Sequence, residues 1–325
     1  MKTRLLVAGV LAAVSLGVLS FGTFAQDKYP ARPVQVLVPV SSGTTADIVA
    51  RMYTDRLSQR LGQQFVVLNR QGAGGTIATQ ALAKAAPDGY TVMLANSQHS
   101  VNPGLLDNLP YDSVRDFSGV ALVGEAPTLI VVSPQVGAKT LKEFIAIAKQ
   151  KPGALNYASA GIGSATHMAG AYFASSAGIQ LVHVPYKSSS DIIADMLAGR
   201  IEAVFAPTAF LLAQVREGKL LGLGISSPQG IRSPIEVPSV SEAAIPGYEY
   251  ATWYGFIASS KAPVQVLEPL SRAIREISEE KEVKDKYASQ GINPRVITLR
   301  EFDAYIKADM DKLAPIIKAV GAKAN

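Results

Sequence analysis

Short apolar segments alternate with amphipathic segments along most of this chain, and this alternation constrains the fold more than any other feature. Strand-like residues 34–39 precede a helical pattern over 46–61, and strand-like 65–68, helical 76–85 and strand-like 90–95 follow. No hairpin turn joins these strands. Because consecutive parallel strands need a crossover helix, the pattern predicts a parallel sheet covered by helices.

The second half of the chain keeps the same rhythm without repeating the sequence. Predicted strands cover residues 128–133, 155–159, 181–184, 201–205 and 220–225, and predicted helices cover 140–149, 165–177, 191–198, 209–217, 264–278, 282–289 and 299–319. A chain of 325 residues is long enough for two hydrophobic cores. We therefore expect an α/β protein with two lobes, each a mainly parallel sheet flanked by helices, and a cleft between the lobes. Residues 26–127 plus 250–325 would form the first lobe and 128–249 the second, with crossings near 125–128 and 248–252.

Composition and motifs argue against several classes of function. The net charge of +5 comes from 31 Lys and Arg against 26 Asp and Glu, and the basic residues are scattered, so nucleic-acid binding is not expected. The absence of cysteine excludes thiolate metal sites and cysteine nucleophiles. The segment GAGGT is not a dinucleotide fingerprint, and GIGSA is not a nucleophile elbow. No cofactor, metal or catalytic site is predicted.

The first 25 residues are typical of a secretory signal peptide. Lys2 and Arg4 form a charged start, Leu5 to Leu19 are apolar, and small residues precede a cleavage site after about Ala25. A membrane anchor is the alternative, but glycine and serine dilute the apolar run and no stop-transfer pattern follows. We expect export to a periplasm.

Small and hydroxylated residues dominate the segments that follow the strands. These segments are PVSSGTTAD (39–47), NRQGAGGT (69–76), NSQHSVN (96–102), SAGIGSATH (159–167), PYKSSSD (185–191) and APTAF (206–210). Ligands of open α/β sheets bind beyond the carboxyl ends of the strands. Small side chains let a ligand approach the backbone, and the first amides of a helix favour a carboxylate or phosphate. Ordinary turns, with Thr45 and Ser164 as helix caps, remain an alternative.

The three histidines and the single tryptophan leave their roles open. His167, one turn into its helix, is a candidate donor to a ligand, His183 is expected in the core, and His99 is undecided. None has the spacing of a zinc site. Trp253 either packs near the second crossing or forms a wall of the cleft.

Many ordered segments resemble the solute-binding receptors of tripartite tricarboxylate transporters, often called Bug receptors. The matching segments are YPARPVQVLVP, GTTADIVAR, LGQQFVVLNRQGAGG, AAPDGYTVML, NPGLLDNLPYDSVRDF, LNYASAGIGSATHMAG, VHVPYKSSS, VREGKLLGLGISS, VPSVSEAAIPGYE and WYGF. The resemblance implies a two-lobed periplasmic binding protein (a Venus flytrap). It also implies a small carboxylated ligand, held in the cleft by main-chain amides, hydroxyls and waters.

The resemblance also implies which residues meet the ligand. In the first lobe these are Ser41, Ser42, Gly43, Thr44, Thr45, Gly74, Gly75, Thr76 and Ser97, and in the second lobe Ala160, Gly161, Gly163, Ser164, His167, Tyr186, Lys187 and Ser188, with Ala206 and Trp253 as further candidates. Asp47 is expected to brace its own loop, because a bare carboxylate would repel an anion.

Two departures from the family pattern bear on the ligand. Ala206 follows Phe205 where the family usually has aspartate, and the first loop begins with Ser41 and Ser42 in place of proline and glycine. The loss of an acid removes a partner for an amine, so we expect a dicarboxylate or aromatic acid in preference to an amino acid.

The receptor would deliver its ligand to the two membrane subunits of the transporter. Docking on a sensor kinase is the alternative partner, which the sequence does not distinguish from transport. An enzyme would need an activated nucleophile or a converging acid–base pair, for which no motif is present.

Overall fold

The computed structural model describes residues 29–231 and 235–319. The predicted signal peptide therefore lies outside the described residues. The strands are β1 Val34–Val38, β2 Phe65–Asn69, β3 Thr91–Asn96, β4 Phe117–Val132, β5 Asn156–Ser159, β6 Val182–Pro185, β7 Ala203–Pro207, β8 Leu221–Ile225, β9 Ala251–Ser259 and β10 Asn293–Thr298. The α-helices are α1 Thr45–Leu61, α2 Thr76–Lys84, α3 Gln98–Leu105, α4 Leu141–Gln150, α5 Ala165–Ala177, α6 Ser189–Leu197, α7 Thr208–Arg216, α8 Val240–Ala243, α9 Val264–Ser278, α10 Lys281–Gln290 and α11 Arg300–Ala319.

Local sequence signals explain where the long helices begin and end. Helix α1 follows Thr44, whose backbone is extended, and ends at Gly62, whose left-handed conformation lets its amide bond to the Ser58 carbonyl. Helix α5 begins after Ser164, whose hydroxyl accepts from the amide of His167, and ends at Gly178. Ser164 is the cap predicted for α5, whereas the cap position of α1 is Thr44 and not the predicted Thr45, and both helices lie where they were predicted.

The predicted α/β architecture is confirmed, but the sheet is mixed and its antiparallel strands were not predicted. Strands β1, β2 and β3 are parallel, as are β5, β6 and β7, but β9 runs antiparallel to both β3 and β4. The omission concerns β9 and most of β4. Both are buried on two faces and therefore lack the alternating pattern that identifies a half-buried strand.

Strand β4 is shared by two sections of the sheet, whose path is β2-β1-β3-β9-β4-β7-β5-β6. Its residues from Phe117 to Pro127 pair with β9, and β10 lies on its other edge. Its residues from Thr128 to Val132 pair with β7 and β8. We call β1, β2, β3, β9, β10 and the start of β4 the first section, and β5 to β8 with the end of β4 the second section. One continuous strand thus joins the two.

Helix α11 packs against both sections. Near its start, Phe302 lies over Gly119 and Gly255, where a Cβ on Gly255 would be 2.3 Å from the Phe302 ring. Near its end, Leu313 and Ile317 join the apolar cluster that contains Phe173, Tyr248 and Tyr250. Because Gly119 of β4 and Gly255 of β9 have no side chains, the Phe302 ring can approach the backbone of both strands. Within the described residues, no helix is both long and apolar enough to cross a membrane.

Replacing Phe302 by alanine should test this packing. The side chain is fully buried, so F302A should lower the free energy of unfolding by about 3–5 kcal/mol through lost contacts and a cavity. Urea denaturation would measure the loss. The adjacent exposed residue supplies the control: E301A should change stability by less than about 0.5 kcal/mol, and equal effects of both variants would contradict the assignment.

Candidate ligand-binding site

The turn between β1 and α1 presents the first amides of a helix. Thr44 precedes α1 in an extended conformation without a side-chain cap, and its hydroxyl donates instead to the Ser41 carbonyl at 2.9 Å. Among the described residues, the amides of Thr45 and Ala46 have no recorded acceptor. They point along the axis of a 17-residue helix whose dipole favours an anion at this end. Ser41, Ser42, Gly43 and Thr44 are exposed around them.

The side chain of Asp47 stabilises this turn by hydrogen bonds. Its Oδ2 accepts from the Gly43 amide (2.9 Å), the Ser42 hydroxyl (3.2 Å) and Arg51 Nε (3.0 Å), and its Oδ1 accepts from Asn69 Nδ2 (2.9 Å). The carboxylate is only 2% exposed. Asp47 therefore braces its loop, as predicted. The Gly43 amide already donates to Asp47 and is therefore not open to a ligand, although Gly43 was predicted to meet one.

The charge of Asp47 is stabilised by these partners. Burial raises the pKa of its carboxyl, but the hydrogen bonds from Arg51, Gly43 and Asn69 outweigh burial and bring the pKa from 3.8 to about 2. The ion pair with Arg51 satisfies the negative charge inside the loop, so the carboxylate does not oppose an anion above it.

A second turn of the first section lies beside α3. Gly74 and Gly75 both have positive φ, and a Cβ on Gly75 would be 3.1 Å from Pro39 of the first turn. The Gly74 carbonyl accepts from Asn102 Nδ2 at 3.0 Å, and Gln98 donates to Asn102 at 2.9 Å. Gln98 and Asn102 lie in the predicted segment 96–102 but were not singled out from the sequence. Their spacing of four residues just after a strand was the signal that could have found them.

Two other predicted residues of the first section use their side chains locally. Thr76, at the start of α2, donates its hydroxyl to the Ala73 carbonyl at 2.9 Å. Ser97, at the start of α3, is 4% exposed. Ser97 therefore lies under the turns and not on their surface. His99, next on α3, is buried and bonded to the Ser113 carbonyl at 3.0 Å, away from the turns.

The turn between β5 and α5 satisfies most of its own amides. The Ala160 amide donates to Thr166 Oγ1 (3.0 Å), that of Gly161 to Ser159 Oγ (3.1 Å), and that of Gly163 to His167 Nδ1 (3.0 Å). Ala160, Gly161 and Gly163 were predicted to meet the ligand, and their amides are instead engaged within the turn.

Three amides of this turn stay open within the described part of the chain. Those of Ile162, Ala165 and Thr166 have no recorded acceptor, and the last two are the first amides of α5. Ser164 caps the helix by accepting from the His167 amide at 3.2 Å, so the cap interpretation of this serine is correct.

His167 and Tyr186 were predicted to touch the ligand, and the structure turns both side chains elsewhere. His167 is 4% exposed and stacks on His183, with ring centroids 3.9 Å apart. The Tyr186 hydroxyl donates to Asp195 at 2.6 Å. The backbone of Tyr186 nevertheless borders the turn, because its amide donates to the Ser159 carbonyl at 2.9 Å. Next along the chain, Lys187 is exposed and Ser188 half-buried beside it.

Trp253 and Ala206 lie in the core. Trp253 is fully buried, packs edge-on against Phe302 at 5.5 Å and donates its indole N–H to Asp309 at 2.9 Å. Ala206 is 2% exposed among apolar side chains of β4 and β7. Neither side chain reaches an open surface, so the structure gives no support to the prediction that they contact a ligand. The packing interpretation of Trp253 agrees with this placement.

Helix α3 brings turns of the two sections together. Asn102 on this helix holds Gly74, and Leu105 on the same helix lies against Gly163, where a Cβ would be 2.2 Å from Leu105 Cδ2. Three residues of helix rise about 4.5 Å. The Gly74 turn and the Gly163 turn therefore lie close to each other, and Pro39 of the turn before α1 packs beside Gly75.

Comparison with known proteins shows the family to which this chain belongs. The model of a family described as "Tripartite tricarboxylate transporter family receptor" matches residues 49–322 of the chain. The chain belongs to this receptor family. Protein BugT of Bordetella pertussis is 32% identical over 320 residues, which cover 97% of this chain and 98% of BugT.

Solved structures show the same two-lobed periplasmic binding-protein fold. The R. palustris protein Rpa4515, solved with adipate, has 27% sequence identity and a TM-score of 0.76, over 90% of this chain and 98% of that one. MatC from Rhodopseudomonas palustris, solved with bound malate, has 26% identity and a TM-score of 0.72, over 89% and 100%. This receptor therefore shares its architecture with proteins that hold small dicarboxylates.

Removing the Asp47 carboxylate should destabilise the receptor. D47A leaves Arg51 and Asn69 without their partner, and we expect a loss of about 2–4 kcal/mol at pH 7 by urea denaturation. The folded pKa of about 2 lies below the ordinary 3.8, so this stabilisation is complete above pH 4 and is lost as the pH falls toward 2. The difference in the free energy of unfolding between wild type and D47A should therefore decrease as the pH falls toward 2.

The matched control is D55A, an exposed aspartate on the same helix. Its effect should stay within about 0.5 kcal/mol. A D47A protein as stable as wild type at pH 7 would mean that the carboxylate does not brace the turn.

Proposed function

We propose that this receptor is a periplasmic solute-binding protein that captures a small organic carboxylate and delivers it to the membrane subunits of a tripartite tricarboxylate transporter. One observation carries the proposal: α3 holds the Gly74 turn next to the turn before α5, and Gly75 lies against Pro39 of the turn before α1, so the open amides at the starts of α1 and α5 belong to neighbouring turns. Two helix N-termini in neighbouring turns would suit an anion with charge at both ends.

The ligand in this proposal is a dicarboxylate or an aromatic acid. The relatives solved with adipate and with malate support a small dicarboxylate. An amino acid would also need an acidic partner for its ammonium group. Asp47 is already paired with Arg51, so its carboxylate is not available to an ammonium group. Backbone amides can donate to many different carboxylates, so the distance between the two charged ends of the ligand would determine which acid binds.

We propose that residues 26–127 plus 250–325 move as one lobe and residues 128–249 as the other. The change of partners of β4 at Pro127 and Thr128 supports this boundary. So does the start of β9 at Ala251. Closure of the lobes would exclude water and strengthen every hydrogen bond to the ligand. Export through cleavage after about Ala25 would place this motion in the periplasm.

Replacing Ala165 by proline should weaken ligand binding selectively. Ala165 is the first residue of α5, and proline fits that position because Ser164 before it is extended (φ −63°, ψ 160°). A165P therefore removes one open amide and little else. We expect affinity to fall about 10–100-fold, the value of one hydrogen bond to a charged group, measured by calorimetry with the acid that raises Tm most among adipate, malate, phthalate, terephthalate and citrate.

The control variant makes the same change at a helix away from the turns. Val264 is the exposed first residue of α9 and also follows an extended residue. V264P should leave affinity unchanged. Equal affinities of A165P and wild type would refute the role of α5, and the absence of any stabilising acid would refute the proposed function.

The ligand class is tested by direct competition between acids. We expect adipate or phthalate to bind more tightly than aspartate or glutamate. The ammonium group of an amino acid needs an acidic partner, and the Asp47 carboxylate is already paired with Arg51. Calorimetry on the same preparation would compare them. A much higher affinity for aspartate or glutamate than for every dicarboxylate would overturn the preference.

A further inference from the structure

Two imidazoles are stacked directly beneath the turn between β5 and α5. His167 comes from the first turn of α5 and His183 from β6, with ring centroids 3.9 Å apart and ring planes 22° apart. The Tyr157 ring of β5 lies 5.2 Å from His183 and 6.3 Å from His167. His167 is buried and His183 is half-buried, and both rings bond to atoms of the turn.

His167 bonds to the turn in a way that requires the neutral ring. Its Nδ1 accepts from the Gly163 amide at 3.0 Å. A protonated imidazole has two donors and no acceptor, so a proton on Nδ1 would break this bond and face the Gly163 N–H with another donor. The neutral tautomer with its proton on Nε2 is the form that fits.

His183 reaches the other half of the same turn through Ser159. Its Nε2 bonds to Ser159 Oγ, and that oxygen accepts from the Gly161 amide at 3.1 Å. The two imidazoles thus fix both Gly161 and Gly163. Between these glycines lies Ile162, one of the residues with an open amide.

The surroundings oppose protonation of either ring. Burial, and then the charge of His183, lower the pKa of His167 from 6.5 to about 4, and burial lowers the pKa of His183. The titratable groups that face His167 are His183 from β6 and Tyr157 from β5, whose hydroxyl lies 3.4 Å from the His167 carbonyl. Phe205 of β7 closes the cluster beside Tyr157 at 5.7 Å. No carboxylate faces the pair within the described residues to stabilise a cation.

We propose that His167 and His183 are positioning residues. As a neutral stacked pair they hold the turn from Ser159 to Ser164 in its binding shape, and acid pH releases it. The link to ligand affinity rests on the proposed function, whereas the link to the order of the turn does not. Because of this histidine pair, the receptor binds its ligand with lower affinity in an acidified periplasm than at neutral pH.

The direction of the pH effect follows from the lowered pKa. Between pH 6.5 and about 4 the unfolded chain binds a proton at His167 that the folded chain does not. The contribution of His167 to stability is thus complete above pH 6.5 and is lost as the pH falls toward 4. Loosening of the turn should occur in the same window.

The first experiment measures amide hydrogen exchange of residues 159–164 in the ligand-free receptor at pH 4.5 and pH 7, as protection factors corrected for intrinsic rates. Wild type should lose about ten-fold protection at pH 4.5. H167N keeps an acceptor oxygen where Nδ1 was and cannot be protonated, so its protection should not change with pH. H167A should be poorly protected at both pH values.

The control is H99Q, because His99 is also a buried histidine with a pKa lowered to about 4 but bonds to Ser113. H99Q should keep the wild-type profile of residues 159–164. The same pH profile in wild type and H167N, or an imidazole nitrogen spectrum with the proton of His167 on Nδ1, would overturn the proposal.

The second experiment separates this proposal from the proposed function. With adipate and malate as probes, the ratio of the Kd of wild type to that of H167N at each pH cancels protonation of the acid itself. The ratio should rise about five-fold or more between pH 7 and pH 4.5. A flat ratio would refute the role in binding. If neither acid binds at any pH, the proposed function fails for these acids, and the exchange profile still decides the role of the histidines.

Discussion

The first amides of a helix have no partner within that helix, and the binding site proposed for this receptor is built around that constraint. The turns before α1 and α5 could have satisfied these amides with side-chain caps. At α1 the Thr44 hydroxyl instead donates to the Ser41 carbonyl, and at α5 the Ser164 cap takes only the His167 amide. The amides left over at both helices are the groups that a bound carboxylate would complete.

The same two turns are held rigid by different chemistry. In the first turn, the charged carboxylate of Asp47 accepts hydrogen bonds from Gly43, Ser42 and Arg51. In the second turn, the neutral rings of His167 and His183 bond to Gly163 and Ser159. A charged brace and a neutral brace respond to acid in different ranges, since the pKa of Asp47 is about 2 and that of His167 about 4. The second turn is therefore the one that acid loosens first.

The two sections of the sheet depend on elements that belong to both. Strand β4 pairs with β9 and then with β7, and α11 contacts Gly255 of the first section through Phe302 and the Tyr250 cluster through Leu313. Helix α3 adds a third link through Asn102 and Leu105. Any motion between lobes must bend these elements and not separate them, which suits closure around a ligand of fixed length.

The sequence by itself determined the helices and strands with clear periodicity or caps, such as α1 and α5, the placement of small residues at strand ends, and the family. It did not determine that β9 runs antiparallel, because a strand buried on both faces carries no alternation. Nor did it reveal which amides stay open. That depends on side chains from other elements, such as Asn69 on Asp47 and Asn102 on Gly74. Only the tertiary structure decides these pairings, so it alone shows His167 bracing its turn and Trp253 packed in the core.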